Sequence, residues 1–520
     1  MNRNKIYLAA ASFLMLIFFS VSCTQDFEEI NTNSNAPSLS QAAPDMLLTN
    51  AIESMTDRVH NIFLGHEMGS AWVQHMAKVQ YTDEDRYIPR MSVINAAWSS
   101  FYASSGMDAQ LLYDIGVETN NASYQAIALI LKSYIVSVVT DEWGDVPYSE
   151  AFLGAADEAV LSPVYDTQAS IYTALLANLE QASTLLDGGA AIGGDILYDG
   201  DLMAWKKFAN SLSLRLLMRQ SDKVDPSAAM SAIFNGSDIF SSNGDNAALI
   251  YLGAAPNNHP FNENRKSRDD HRVSNTIINY LYTDAPSPDY RVVVYAELAA
   301  NSGDWVGIPN GMLSASAGQY LGNGLAETSK IGEYFTRANA PGMLMSYAEL
   351  LFIKAEAAAR GFISGGDAVA EEAYQAGIKA SWDQYNADGT FADALGVWES
   401  TFISWGMDPA GDIYDFGWVD FVDWGGTYAY DPANGLEQIA TQKWVAMFDQ
   451  GLQAAFEWRR TGYPALTPAI DGENGGKIPV RAYYPSDEAA RNPTNLSAAV
   501  AAQGTDDLNT RVWWDVADNF

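Results

Sequence analysis

Five stretches between Asp45 and about Asp222 place apolar residues three or four apart: Met46–Val59, Trp98–Val117, Ser123–Val139, Thr167–Leu186 and Leu202–Arg219. That period puts one apolar stripe along each segment and predicts helices. Helices of this length joined by short polar turns predict antiparallel pairs. The pattern resumes at Gly342–Arg360, which ends before Gly361, a residue suited to close a helix. Glu371–Tyr385 follows across a Gly-rich turn, and the Ala-rich faces of the two permit close approach. A further amphipathic helix is expected over about Leu436–Arg459, with Trp444, Phe448, Leu452 and Phe456 four apart on one face. Between these runs, residues 223–340 are rich in Gly, Asn, Pro and Ser, with one helical patch near Val273–Tyr282. Residues 386–435 are again irregular and rich in aromatics. Helix pairs at loose intervals suit a degenerate tetratricopeptide-like array, although no window carries the full repeat signature. The expected fold is therefore mainly α: one domain over 45–520, with long loop insertions at about 223–340 and 386–435. Loops held by packed helices are the usual home of binding surfaces.

Cys23 is the only cysteine in 520 residues. Arg3 and Lys5 precede an apolar run, Ile6–Val21, which has the layout of a secretory signal and is short for a membrane span. Ser20-Val21-Ser22-Cys23 resembles a bacterial lipobox, in which the thiol is acylated and becomes the new N-terminus. Residues 1–22 then read as a lipoprotein signal peptide and 23–44 as a flexible polar tether. Asp26, Glu28 and Glu29 follow the cysteine at once and resemble the surface-export signal of Bacteroidetes lipoproteins. The processed chain would hold no other thiol, so its stability must come from burial rather than disulfides. Losing Arg3 and Lys5 with the leader takes the formal charge from −35 to −37. A chain this acidic is repelled by phosphate backbones, which disfavours nucleic acid as a partner.

Catalytic signatures fail one after another. His66-Glu67 begins a zincin-like HExxH, but Ser70 stands where the second histidine belongs, and His75 does not repair the spacing. With five histidines and no second cysteine, neither a metal site nor a cofactor is expected. No nucleophile elbow, phosphate-binding loop or dinucleotide fingerprint is present, so no catalytic residue is assigned. Among 64 acids a glycosidase pair cannot be picked by sequence, which leaves a surface glycoside hydrolase open as an alternative. Asp431, Asn434 and Glu437 could gather at a helix start, where capping by Asn434 is favoured over calcium because no EF-hand spacing exists. The 14 Trp and 27 Tyr include candidates for stacking on a ligand. VQYTDEDRYIPR (79–90) puts Tyr81 and Tyr87 in a charged segment between helices, and NSGDWVGIPNG (301–311) surrounds Trp305 with Gly, Asn and Pro. Trp418, Trp424 and Tyr428 are weaker candidates, and Trp143 in TDEWGDVPYSEAF reads as structural.

Assembled, these pieces resemble the SusD/RagB family of nutrient-binding outer-membrane lipoproteins, in its SusD-like branch. The resemblance rests on SCTQDFEEINTN, VQYTDEDRY, DEWGDVPYSEAF, WKKFANSLSLRLLMR and FNENRKSRDDHRVSNT, then on SYAELLFIKAEAAARG, EEAYQAGIKASW, QIATQKWVAMFDQGLQAAFEWRRTGYP and IPVRAYYPSDE. Their order along nearly the whole chain carries it, not any single motif. It implies a SusD-like helical scaffold of four tetratricopeptide-like pairs with a loop-rich binding face. It implies a non-enzymatic lid on a SusC-like, TonB-dependent transporter, anchored in the outer membrane and facing outward. Cargo in such proteins is a glycan or, in some members, an oligopeptide. Tyr81, Tyr87 and Trp305 are expected on physical grounds to stack on it.

Overall fold

The computed structural model describes residues 43–154, 159–284, 289, 291–386 and 428–517. The first half is built from α1 (Pro44–Val59), α2 (Met91–Ser100), α3 (Gly106–Glu118), α4 (Ala122–Trp143), α5 (Gln168–Leu185) and α6 (Leu202–Arg219). The second half adds α7 (Tyr347–Ala359), α8 (Gly366–Asn386), α9 (Gly435–Ala446) and α10 (Gly451–Thr461). Helices adjacent in sequence pack as hairpins, α3 on α4, α4 on α5, α5 on α6 and α7 on α8, while α6 against α7 joins the halves. Local chemistry sets the ends. Asn121 accepts from the amides of Ser123 and Tyr124, Asp201 from those of Met203 and Ala204, and Ser346 from that of Glu349. These side chains satisfy amides that an α-helix leaves without partners at its start. The central helix, α4, is apolar and long enough to cross a membrane, but it is buried among its neighbours.

The core is not purely apolar. Five carboxylates (Asp141, Glu142, Glu349, Glu356 and Glu457) and five cations (Arg215, Arg219, Lys443, Arg459 and Arg460) are all buried in it. Glu457 on α10 receives Arg219 Nε at 2.9 Å, Lys443 Nζ at 2.8 Å and Arg460 Nη2 at 2.9 Å. Arg219 reaches on to Asp141 of α4 at 2.9 Å, and Arg460 to Glu356 of α7 at 2.6 Å. Arg215 grips Glu349 at 2.6 Å, and Arg459 grips Glu142 at 2.9 Å. One connected set of pairs thus ties α4, α6, α7, α9 and α10.

Three short antiparallel ladders fasten the insertions. They pair β1 (Met76–Lys78) with β5 (His271–Val273), β2 (Val146–Pro147) with β3 (Tyr165–Asp166), and β4 (Ala247–Ile250) with β6 (Pro341–Met345). In the first, Lys78 lies opposite His271 and Met76 opposite Val273.

Several expectations need correction. Residues 342–345 are not the start of a helix but the end of β6; a four-residue apolar run has no period of its own, and β4 supplies its partner. The expected helix over Leu436–Arg459 breaks at Met447–Gln450. Gly451 there packs on the Gly65 carbonyl so closely that a Cβ would lie 2.1 Å from the oxygen. Trp444, Phe448, Leu452 and Phe456 are nonetheless all buried. The patch at Val273–Tyr282 divides into the end of β5, a helical turn at Asn275–Ile278 and a π turn at Asn279–Thr283. Asn434 sits at the N-cap of α9 without a side-chain capping bond, donating instead to Asp431 at 2.8 Å. Cys23, Asp26, Glu28, Glu29, the leader, nearly all of the tether, most of the 386–435 insertion, Trp418 and Trp424 lie outside the described residues.

Burial alone would push the Glu457 carboxyl up, but Arg460, Lys443 and Arg219 hold it well below the usual range. A depressed folded-state pKa contributes stability that is present above the unfolded value of 4.5 and is lost as the pH falls. Glu457→Ala leaves three buried cations facing one another, and urea unfolding at pH 7 should show a loss of about 3–5 kcal/mol. A loss below about 1 kcal/mol would mean the cations find water or other partners.

Candidate ligand-binding site

The loop after β1 turns at Tyr81 in a left-handed backbone conformation, φ 51°. For a residue with a Cβ this costs about 1–2 kcal/mol, so its surroundings must hold it there. They do so on both sides. The Asp85 carboxylate accepts from Lys78 N at 3.2 Å, Asn310 Nδ2 at 2.8 Å and Gly311 N at 2.9 Å. Burial pushes that carboxyl up to about 6 even so. Thr82 N donates to Ser314 Oγ at 3.2 Å, Trp72 Nε1 to the Glu84 carbonyl at 3.0 Å, and Arg86 Nε to the Asp471 carbonyl at 2.9 Å.

Held this way, Tyr81 is 60% exposed, and the Arg268 guanidinium lies 4.0 Å from its ring centroid. Two hollows meet at this pair. One, of about 610 Å³, is walled by Gln80, Ser267, Asp269, Arg272, Leu325 and Lys330; the other, of about 270 Å³, by Phe63, Glu67, Asp83, Glu84, Arg90 and Asn264. Tyr81, Arg268 and Asp270 belong to both. An exposed aromatic face with guanidinium, ammonium, carboxylate and amide groups around it suits an uncharged polyhydroxylated ring. The ring's apolar face can lie on Tyr81 while its hydroxyls pair at the rim.

The floor is a charged cluster. Glu67 is bound by Lys78, by His271 Nε2 at 3.2 Å and by Arg90 Nη2 at 3.1 Å. Arg90 also binds Glu84 and lies over the Phe63 ring at 4.2 Å. Burial opposes the Glu67 charge, but His271 and Lys78 outweigh it and hold the carboxyl at about 2. Glu84 is pushed the other way, by burial and by Glu67. Two acids driven apart are what acid–base catalysis would use, yet both are buried and spent on Arg90, Lys78 and His271.

Of the three aromatics expected to stack, the structure exposes Tyr81 only. Tyr87 is 4% exposed, its hydroxyl accepts from Ala469 N at 2.8 Å, and its ring meets Trp72 edge-on. Trp305 is also 4% exposed, with Nε1 donating to the Ala296 carbonyl at 3.2 Å and its ring against Tyr282. The Gly- and Pro-rich surroundings of Trp305 look open in sequence. Backbone bridges Ser274–Ile308 and Ala296–Ile331 fold them over the indole. Tyr428 is buried too, and Trp143 is a core residue as expected, its Nε1 donating to the Tyr483 carbonyl at 2.8 Å. Sequence reasoning missed Arg268, Asp270 and Lys330. RKSRDDHR (265–272) was the available signal: four cations in eight residues of a chain with only 29. A further cavity of about 660 Å³ lies by Gln74, Tyr280, Pro464 and Ile470. Its Trp444 is buried and tied by Nε1 to the Val73 carbonyl at 2.9 Å.

The helical scaffold thus presents a loop-built polar cleft with Tyr81 exposed where its two hollows meet. Residues 35–485 match the SusD-like family model described as "Starch-binding associating with outer membrane", and the chain belongs to that family. Among solved structures, one named a chitin-binding protein is 27% identical, covering 91% of this chain and 100% of its own with a TM-score of 0.76. A chitin-binding SusD homolog from Flavobacterium johnsoniae is 24% identical over 92% and 99%, TM-score 0.71. A SusD homolog from Bacteroides fragilis is 24% identical over 91% and 99%, TM-score 0.71. No curated protein sequence matches.

The Glu67 cluster has a pH signature. Its depressed pKa makes its contribution to stability complete above the unfolded value of 4.5, and that contribution drains away as the pH falls toward 2. Glu67→Gln should therefore lower stability at pH 7 and flatten its decline between about pH 4.5 and 2, as read by urea midpoints across that range. A wild-type-like slope would show that the cluster does not set acid stability.

Proposed function

We propose that the protein is a cell-surface lipoprotein that captures a glycan in the cleft at Tyr81 and Arg268 and passes it to a SusC-like, TonB-dependent transporter. The observation that carries the reading is Tyr81, an exposed ring held in a costly backbone conformation at the junction of two hollows. Family membership and the 27% identical chitin-binding protein support a carbohydrate over other small ligands. In this reading Cys23 carries the lipid anchor, and Asp26, Glu28 and Glu29 direct the protein to the outer face of the outer membrane. The protein binds without turnover. Glu67 and Glu84 shape the floor and do not cleave.

Titration calorimetry with chito- and malto-oligosaccharides tests the site. At least one series should bind saturably, and Tyr81→Ala should weaken it by about tenfold, near 1.4 kcal/mol. Unchanged affinity in the variant would remove Tyr81 from the site. Saturable binding only of peptides would move the cargo to oligopeptides, and release of reducing ends from polysaccharide would make the protein a glycoside hydrolase. Failure to recover a large β-barrel with the protein from solubilised outer membrane would overturn the proposed partner.

A further inference from the structure

We propose that His60, His66 and Asp449 form a binding site for one zinc-type divalent metal ion beneath the cleft. Each offers one ligand atom, and these atoms lie within 4.8 Å of one another. Three elements bring them together: His60 follows the end of α1, His66 lies in the π-helical turn Ile62–Ser70, and Asp449 lies in the break between α9 and α10. At the end of that break Gly451 seats on the Gly65 carbonyl, and this close contact holds the segment bearing Asp449 against the turn that carries His66. No sequence spacing announces this, because His60 and His66 do not follow a helical metal motif.

The imidazoles are set up as ligands. His60 Nε2 lies 3.1 Å from the Met343 carbonyl, which can only accept, so Nε2 carries the proton and Nδ1 a bare lone pair. That Nδ1 has no hydrogen-bond partner and lies 3.6 Å from Asp449 Oδ2. His66 Nε2 is likewise unpartnered, and the two side chains are 2% and 1% exposed. Burial lowers the His60 pKa to about 4 and that of His66 well below its ordinary value, so both are neutral and able to ligate at pH 7. Burial raises the Asp449 carboxyl, which a metal would return to its charged form. Two imidazoles and a carboxylate suit zinc or its neighbours over calcium or magnesium, which prefer all-oxygen sites. Bonds of about 2.1 Å require the ligand atoms to draw in to about 3.4 Å of one another, a modest side-chain adjustment. A cavity of about 20 Å³ adjoins Asp449, walled also by Met343, Tyr385 and Gln450, and is large enough to hold one water.

The competing state is metal-free, with a neutral Asp449 carboxyl donating to His60 Nδ1. The two separate cleanly because all five histidines of the chain are buried, leaving no surface imidazole to take up zinc. The full mature-length chain, on a tag without histidine, is stripped with chelator, equilibrated with zinc chloride, gel-filtered and analysed for metal. The expected result is about one zinc per chain, with a higher melting temperature in zinc than in chelator. Asp449→Asn and His60→Gln should each weaken zinc binding by about tenfold or more. Cobalt provides a test that needs no variant: the wild-type protein should give the intense visible bands of a four-coordinate ion. Uptake well below one zinc per chain, a melting temperature indifferent to zinc, binding undiminished in folded variants, or a pale six-coordinate cobalt spectrum would each overturn the site.

Discussion

Glu457 and the three cations around it decide how the helices can be arranged. A carboxylate this deep is tolerable only with partners at hydrogen-bonding distance, and Arg219, Lys443 and Arg460 come from three different helices. Through Asp141 and Glu356 the same cations commit α4 and α7 as well. Apolar helix faces can slide past one another at modest cost. Paired buried charges cannot, because a small displacement leaves a charge unpaired. The ten residues balance five against five, so this network adds no formal net charge to the core of a strongly acidic chain.

That rigidity matters for the cleft. The Tyr81 loop has little regular structure of its own and depends on neighbours that must themselves be fixed. Asp85 gathers Lys78, Asn310 and Gly311, and Asn310 in turn donates to the carbonyls of Ala71 and Met76. β1 pairs with β5, which brings His271 beneath Tyr81 and sets the segment bearing Arg268 beside it. A non-glycine residue at φ 51° survives because several contacts overdetermine it, and the outcome is an exposed ring in a fixed orientation.

Much of the scaffold was legible because its signals are local. Leu202–Arg219 has the bounds its apolar period gives, with Asp201 as its cap. The break before Gly451 was not legible, since the segment packs against the Gly65 carbonyl, far away in sequence. The buried charges lie within the resembling motifs DEWGDVPYSEAF, WKKFANSLSLRLLMR, SYAELLFIKAEAAARG and QIATQKWVAMFDQGLQAAFEWRRTGYP, yet nothing local shows that they pair in the core. The binding face was half legible. An aromatic in a charged loop marked Tyr81, but the same reasoning chose Tyr87 and Trp305, whose burial comes from Ala469, Ala296 and Tyr282. The second wall, at 264–272, went unread because a basic run looks like an ordinary solvated surface until the fold puts it beside Tyr81.

Hydrogen–deuterium exchange with and without a saturating oligosaccharide tests most directly whether a rigid frame presents this cleft. Slowed exchange confined to about residues 79–90 and 264–272, with α4, α6 and α10 already slow and unchanged, is the expected result. Protection centred instead on the cavity at Pro464 and Ile470, or a general slowing across those helices on binding, would contradict it.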